Sequence, residues 1–423
     1  MKKFILLHRE IAVTPFTLGM IHRGFHHRLQ FKYTTPLYFK NSFIAYHNYK
    51  CDWYGDGDNF RDLGYLIVAK SEADPTYKDR LLQDTLQRGK KLYSGANKIN
   101  RTDLKKLPPR RLTSILNKIY SLGSDLCDVG MVAAAPDVAF NNFSKRLQDV
   151  IKKAVTKQNA PRSANEYFNI LTTSGKGSLT RQENLALLQL ANKLSRSKEL
   201  IRLFKTTSAY DLLPILERQN KNLLGQITKI KNKFGWLAFG HLGPAKDAVA
   251  YFDDLKNILT EGKINHQITN LQTEPAKLKI RQTQYYKELK LTRAEKQLLA
   301  TAQNFSYNKA FRYDMLLYAF YTFDKILREI SRRIYLPLKD LYFLSPEEIS
   351  QFLAGKKSVN KSELIARRHC CIVTIKKNGV NFISGEKAKQ YQKCHAIINK
   401  IRKNLTVIHG TVAYLGRATG QVK

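Results

Sequence analysis

Long apolar runs are missing from this sequence: no stretch approaches the ~20 consecutive apolar residues that a membrane-spanning helix requires, which argues against a spanning protein. The start, Met1-Lys2-Lys3 followed by Phe4-Ile5-Leu6-Leu7, imitates an export signal, but His8, Arg9 and Glu10 interrupt the apolar stretch too early. Cytoplasmic residence is the expectation. Cysteine is scarce. The five residues Cys51, Cys127, Cys370, Cys371 and Cys394 are odd in number and scattered, with no CxxC pair, so neither a disulfide framework nor a zinc site is expected. Adjacent Cys370 and Cys371 would point to opposite faces of a strand, at least one of them as an ordinary buried small hydrophobe.

Acidic residues are few: 34 Asp and Glu face 72 Lys and Arg, a formal charge of +38 and a pI of about 9.9. Such a field attracts polyanions in general. The cations are spread along the chain, as Lys152-Lys153, Arg332-Arg333 and Lys356-Lys357 show, so attraction alone does not make a specific reader of nucleic acid. A phosphate loop is missing too, because Gly175-Lys176-Gly177-Ser178 is too short and lacks the upstream glycine. Asp52, Asp56 and Asp58 imitate a calcium loop, yet the twelfth position counted from Asp52 is Leu63 rather than glutamate.

What is present is helical periodicity. The 423 residues suit two or three domains. The expected class is mainly α: a helical body over 101–358, a small mixed α/β region over 1–100, a short β-hairpin-containing unit over 359–409, and a distinct final segment over 410–423. Lys78 to Leu92 reads as a surface helix, and Pro108-Pro109 stops whatever precedes it. Leucines and isoleucines from Leu185 through Leu194, Leu203, Leu216 and Ile227 to Ile230 recur at intervals compatible with one helical face. Periodicity fades from Ile264 to Pro275, which reads as a connector, and returns as a charged helix from Leu278 to about Thr301. Phe311 to Tyr335 is a further helix, with Met315, Ala319, Phe323, Ile326 and Ile330 on one face and Glu329/Arg333 paired one turn apart. Ser345-Pro346-Glu347-Glu348 is a capping box with proline at the first helical position, and Gly355 is the stop. Asn378-Gly379, flanked by Val373, Ile375, Val380 and Phe382, is a hairpin turn. Tyr46 to Asp58, dense in aromatics, Asp and Gly, reads as turns.

No catalytic residue, cofactor contact or metal ligand is assigned from the residues alone. His241, in Gly240-His241-Leu242-Gly243-Pro244, could help hold an anion, although a local backbone bond is the plainer use. His47 near Asp52 and Trp53 could be an acid–base group without a nucleophile to serve. His8, His22 and His26-His27 read as packing or surface residues. Arg312, Arg332, Arg333, Arg367 and Arg368 could cradle phosphate or simply flank helices. The aromatics between Phe305 and Tyr321 could stack on bases but suit a buried helix face better.

Gly410, Ala413, Gly416, Ala418, Gly420 and Val422 occupy the marked positions of a G-x-x-A-x-x-G-x-A-x-G-x-V pattern. That string resembles the opening of the swivelling phosphohistidine domain in the phosphoenolpyruvate-utilising family, which includes phosphoenolpyruvate synthase, pyruvate phosphate dikinase and rifampicin phosphotransferase. Upstream, Phe234-Gly235-Trp236, Arg312, the string Leu341 to Ile349 and Arg367-Arg368 follow the family's order, so the resemblance spans roughly residues 165–423. It implies ATP and Mg²⁺ only for a full-length member, where an ATP-grasp domain phosphorylates a mobile histidine. The G-G-x-x-x-H neighbourhood of that histidine has no equivalent here, since His395 matches only an H-A fragment before the opening string. The resemblance therefore implies a phosphotransferase-like helical part, inactive alone, whose partner is a phosphohistidine segment downstream or on another chain. A nucleic-acid-binding or scaffold protein is the second expectation, from the basic surface, and an unrelated hydrolase around His47 and Asp52 the third.

Overall fold

The computed structural model describes residues 4–39, 41–376 and 379–397. Asn378 and the string Gly410 to Lys423 lie outside the described residues. Among those described, helices dominate and the named strands form one antiparallel sheet, so the chain is mainly α. No described helix is long and apolar enough to cross a membrane.

The sheet comprises β1 (Ile5–Ile11), β2 (Ser42–His47), β3 (Lys50–Gly55), β4 (Cys370–Lys376) and β5 (Gly379–Ser384), in the order β1-β3-β2-β4-β5. The Tyr46 to Asp58 segment is mostly strand rather than turn. Asn48 and Tyr49, at φ 44° and 63°, make a two-residue left-handed turn that matches the twist of a hairpin, and Asp56 caps the helix Gly57–Ala73 through the Asn59 amide. The expected second hairpin also forms, but Gly379 is the first residue of β5, paired opposite Lys376, rather than half of the turn pair. It is built onto β2, Ala45 opposite Ile372, so N-terminal and C-terminal strands share one sheet.

Both faces of β4 are covered, which explains its run Cys370-Cys371-Ile372-Val373. Cys371 and Val373 join the main helical core, whereas Cys370 and Ile372 pack with Phe43, Ala45, Tyr54 and Ala388 on the other side. The strand period thus separates the two adjacent cysteines.

Five helices recur below: α1 (Pro15–Gly24), α2 (Tyr77–Asn100), α3 (Pro109–Gly130), α4 (Ile264–Glu288) and α5 (Arg293–Ile334). The spine is α5, 42 residues long, and its apolar face contributes Met315, Ala319, Phe323, Ile326 and Ile330 to the main core. The helix expected from Phe311 is its C-terminal half. The charged helix expected from Leu278 to Thr301 is two helices: Leu289 and Leu291 are buried in the turn, Lys290 has φ 45°, and Thr292 with Glu295 forms a capping box that starts α5.

The connector expected over 264–275 is helical as well, with Pro275 inside α4. Proline removes the bond its own N–H would give to the carbonyl four residues earlier. That carbonyl, on Leu271, accepts instead from the Arg181 guanidinium. Few α4 side chains are buried, chiefly Ile264, Leu278 and Tyr285, so the sequence shows no apolar stripe there.

The leucine-rich stretch is not one helix either. Ser178, Ser197, Ser208 and Asn220 each cap a new short helix through a backbone amide. The apolar residues meet across these helices in a second core around Leu188, Phe204, Leu212, Ile227 and Phe252. Lys78 to Leu92 belongs to α2, which is longer than expected and packs Leu81, Leu92 and Ala96 into the main core.

Candidate functional site

Between the helical face of the sheet and the middle of α5 lies a cavity of about 410 Å³, within the usual range of small-molecule sites. Its walls come from distant parts of the chain: Leu7 and Glu10 of β1, Cys51 and Trp53 of β3, Leu18 of α1, Cys127 of α3, and Arg312 and Phe320 of α5. Aromatic rings shape the apolar part. Phe25 stacks on Trp53 at 4.8 Å and 1° between planes, and Phe320 lies 4.5 Å from the His241 ring.

His241 is buried in the wall and has no local backbone bond of the plain kind expected. Its Nδ1 lies 2.9 Å from Thr17 Oγ1 and its Nε2 3.3 Å from Glu10 Oε1. Thr17 Oγ1 in turn donates to the Thr14 carbonyl at 3.0 Å. A carboxylate only accepts, so the contact with Glu10 suits an Nε2 that carries its proton. The turn that presents His241 needs glycine at 243, where φ is +74° and a Cβ would meet the Phe239 ring at 2.7 Å.

Glu10 and Arg312 form the polar pole. Burial opposes ionisation of Glu10, but the His241 bond and the charges of His241, His8 and Arg312 outweigh it and hold its pKa below the ordinary value. Arg312 lies against α3, where Gly130 makes room: a Cβ there would sit 2.7 Å from Arg312 Cδ. Its Nη1 donates to the Gly130 carbonyl at 3.2 Å. Burial pulls its pKa down, opposed by Cys127 and Glu10, yet a guanidinium stays charged. Arg312 and Glu10 feel each other without a direct ion pair. Two buried donors on this wall, Arg312 Nε and Trp53 Nε1, have no hydrogen-bond partner among the described residues. A ring-bearing molecule with an acceptor group would satisfy them.

No reactive thiol is on offer. Burial pushes both Cys51 and Cys127 up to about 12, so each is a neutral thiol at physiological pH. Cys394 alone of the five is exposed. We therefore expect a chromogenic disulfide reagent at pH 8 to titrate one thiol per native chain quickly and the other four only on unfolding. Rapid modification of Cys51 or Cys127 would contradict the burial of these thiols.

Of the other singled-out residues, His8 and Tyr313 also line the cavity, and the rest sit elsewhere. His22 is buried with Nε2 2.9 Å from Ser42 Oγ, and burial, aided by His26, lowers its pKa to about 3. His27 bonds Asp125 at 2.8 Å. His47 meets Gln392 at 3.0 Å, while Asp52 pairs with Arg9 at 2.6 Å. Asp56 caps a helix and Asp58 pairs with Arg61. Arg332 and Arg333 grip Glu329, Arg367 bridges Glu348 and Glu363, and Arg368 pairs with Asp340. Of these arginines only Arg312 reaches the cavity. Trp236 is buried with Nε1 donating to the Lys233 carbonyl at 2.8 Å.

Sequence reading named His241, Arg312, Trp53 and, among the aromatics before Tyr321, Phe320, each separately, and gave Glu10 no site role. No local signal unites them, because strand pairing and helix packing bring them together. No group of three or more His, Cys, Asp and Glu suited to a metal occurs among the described residues. No protein-family model matches the chain, and no curated protein matches it.

Proposed function

We propose that this chain is the acceptor-holding, cytoplasmic helical part of a phosphotransfer protein of the phosphoenolpyruvate-utilising kind, with the phosphocarrier histidine on a downstream or separate segment. The observation that carries the reading is the cavity itself: aromatic walls, a fixed cation in Arg312, and the Glu10–His241 pair at its polar end. Phosphoryl transfer needs positioning and charge more than covalent help from the protein. A guanidinium beside a carboxylate could orient an acceptor group in such a pocket. The chain's described C-terminal end adds support, since Phe4 N donates to the His395 carbonyl and Ile397 N to the Phe4 carbonyl, both at 2.7 Å. Whatever follows Ile397 would start from a fixed point on the sheet edge.

On this reading the chain alone accepts no phosphoryl group. Incubated with labelled ATP or phosphoenolpyruvate, the purified protein is expected to carry no acid-labile, base-stable label. Stoichiometric phosphohistidine that turns over on adding an acceptor would overturn the proposal.

A further inference from the structure

One end of the helical body gathers exposed positive charge around a single loop. The segment joining α2 to α3 contains Arg101, Lys105 and Lys106, and the first turn of α3 adds Arg110 and Arg111, all exposed. Between residues 98 and 118 the only acidic residue is Asp103, which lies 3.9 Å from Lys106. The loop is held rather than loose. Arg333 Nη1 donates to the Leu107 carbonyl at 2.7 Å, and Nη2 to those of Leu104 and Lys105 at 3.0 Å each. Lys325 of α5 is tied to the Asn100 carbonyl at 2.5 Å, adding its charge to the same end. The nearby carboxylates are already engaged: Glu329 by Arg332 and Arg333, Asp324 by Arg328 and the Tyr342 hydroxyl.

Beside this cluster stands an aromatic ring with almost nothing against it. Tyr335, two residues beyond Arg333, is 93% exposed. It occupies the left-handed position that ends α5, at φ 52°, and Ser331 fixes that turn by accepting from Leu336 N at 3.3 Å and donating to the Leu336 carbonyl at 2.6 Å. An exposed ring on a fixed backbone beside a cluster of exposed cations is the combination by which proteins bind single strands, cations tracking phosphates and the ring stacking on a base.

We infer that this end of the molecule is a docking site for single-stranded nucleic acid, with Lys105, Lys106, Arg110 and Arg111 contacting phosphates and Tyr335 stacking on a base. The inference is independent of the cavity and of phosphotransfer.

The test is fluorescence anisotropy of the full chain with a labelled twelve-nucleotide uridine RNA, titrated at several salt concentrations. Replacing the four cations by glutamine is expected to weaken binding about 30-fold or more and to reduce the log–log salt slope by about 3. A matched control, glutamine at the exposed Lys145, Lys152, Lys153 and Lys157 of helix Asn142–Gln158, removes the same charge and is expected to cost less than about 3-fold. Tyr335→Ala is expected to weaken binding about 10-fold with the slope unchanged, as for a lost stacked base. Equal losses in the two charge variants would reduce the effect to a generic field and overturn the site. So would an unaffected Tyr335→Ala variant, or polyglutamate competing as well as RNA at equal charge, which would make an acidic protein segment the occupant.

Discussion

Replacing Glu329 by glutamine is expected to destabilise the chain by about 2 kcal/mol, less than breaking a fully buried ion pair, because the Arg332 side chain is largely exposed and its bond is screened. Glu329 is only 7% exposed. Its Oε1 accepts from Arg333 Nε at 2.7 Å and Arg332 Nη2 at 2.8 Å, and its Oε2 from Arg332 Nε at 3.1 Å. The same Arg333 holds the carbonyls of the loop between α2 and α3, so losing its counter-charge loosens both the end of α5 and that loop. The Arg332 bond first, and then the Arg333 bond, hold the Glu329 carboxyl down at about 2 against the cost of burial. Because the folded value is depressed from its ordinary 4.5, this contribution is complete above about pH 4.5 and is lost as pH falls towards about 2. Urea unfolding at pH 7 should show the loss, and the gap should narrow at pH 3 and close only near pH 2. A Glu329→Gln midpoint equal to wild type at pH 7 would contradict the clamp.

The second large effect has the opposite sign. Asp128 on α3 is fully buried, and its Oδ2 accepts from the amides of Leu29 at 2.6 Å and Gln30 at 3.4 Å. Burial pushes its pKa from 3.8 up to about 7, against those two amide bonds. A raised carboxyl pKa means that the folded state prefers the protonated form. The associated stability is therefore complete below about pH 4 and is lost as pH rises through about 7. At pH 8 the buried carboxylate costs on the order of 3 kcal/mol. Asp128→Asn keeps an acceptor for both amides without the charge. It is expected to match wild type near pH 4 and to exceed it by on the order of 2–3 kcal/mol at pH 8. Identical pH dependence in the two proteins would show that folding does not shift the Asp128 carboxyl.

Much of this architecture is written locally. The Ser345 capping box, the Glu329/Arg333 pair and the opposite facing of Cys370 and Cys371 all follow from neighbours within a few residues, and all three form. What failed was what depends on distant partners. Helix α4 passes Pro275 because Arg181, far back in the sequence, takes the carbonyl that proline leaves free. The break before α5 was visible as Thr292 and Glu295, but the charged residues around it looked like one uninterrupted helix. The leucine spacing fits a single face, yet four capping residues cut it into separate helices whose core is shared. The cavity was least legible. Glu10, Trp53, Cys127, His241 and Arg312 belong to five segments, and no spacing rule connects a strand edge, a glycine turn and two helix faces.

The cavity is also where the account is most directly open to test. The chain has two tryptophans; Trp53 lines the cavity, and Trp236 can be changed to phenylalanine to leave Trp53 as the single reporter. The probe is anilinonaphthalene sulfonate, whose rings suit the aromatic walls and whose sulfonate can accept from Arg312 and Trp53. The account expects one saturable site with energy transfer from Trp53, weakened about tenfold or more by Arg312→Met, as for loss of a charge-assisted bond, and abolished by filling the space with Ala134→Phe. Binding with no transfer from Trp53, or transfer untouched by both substitutions, would mean that the cavity is not a ligand site.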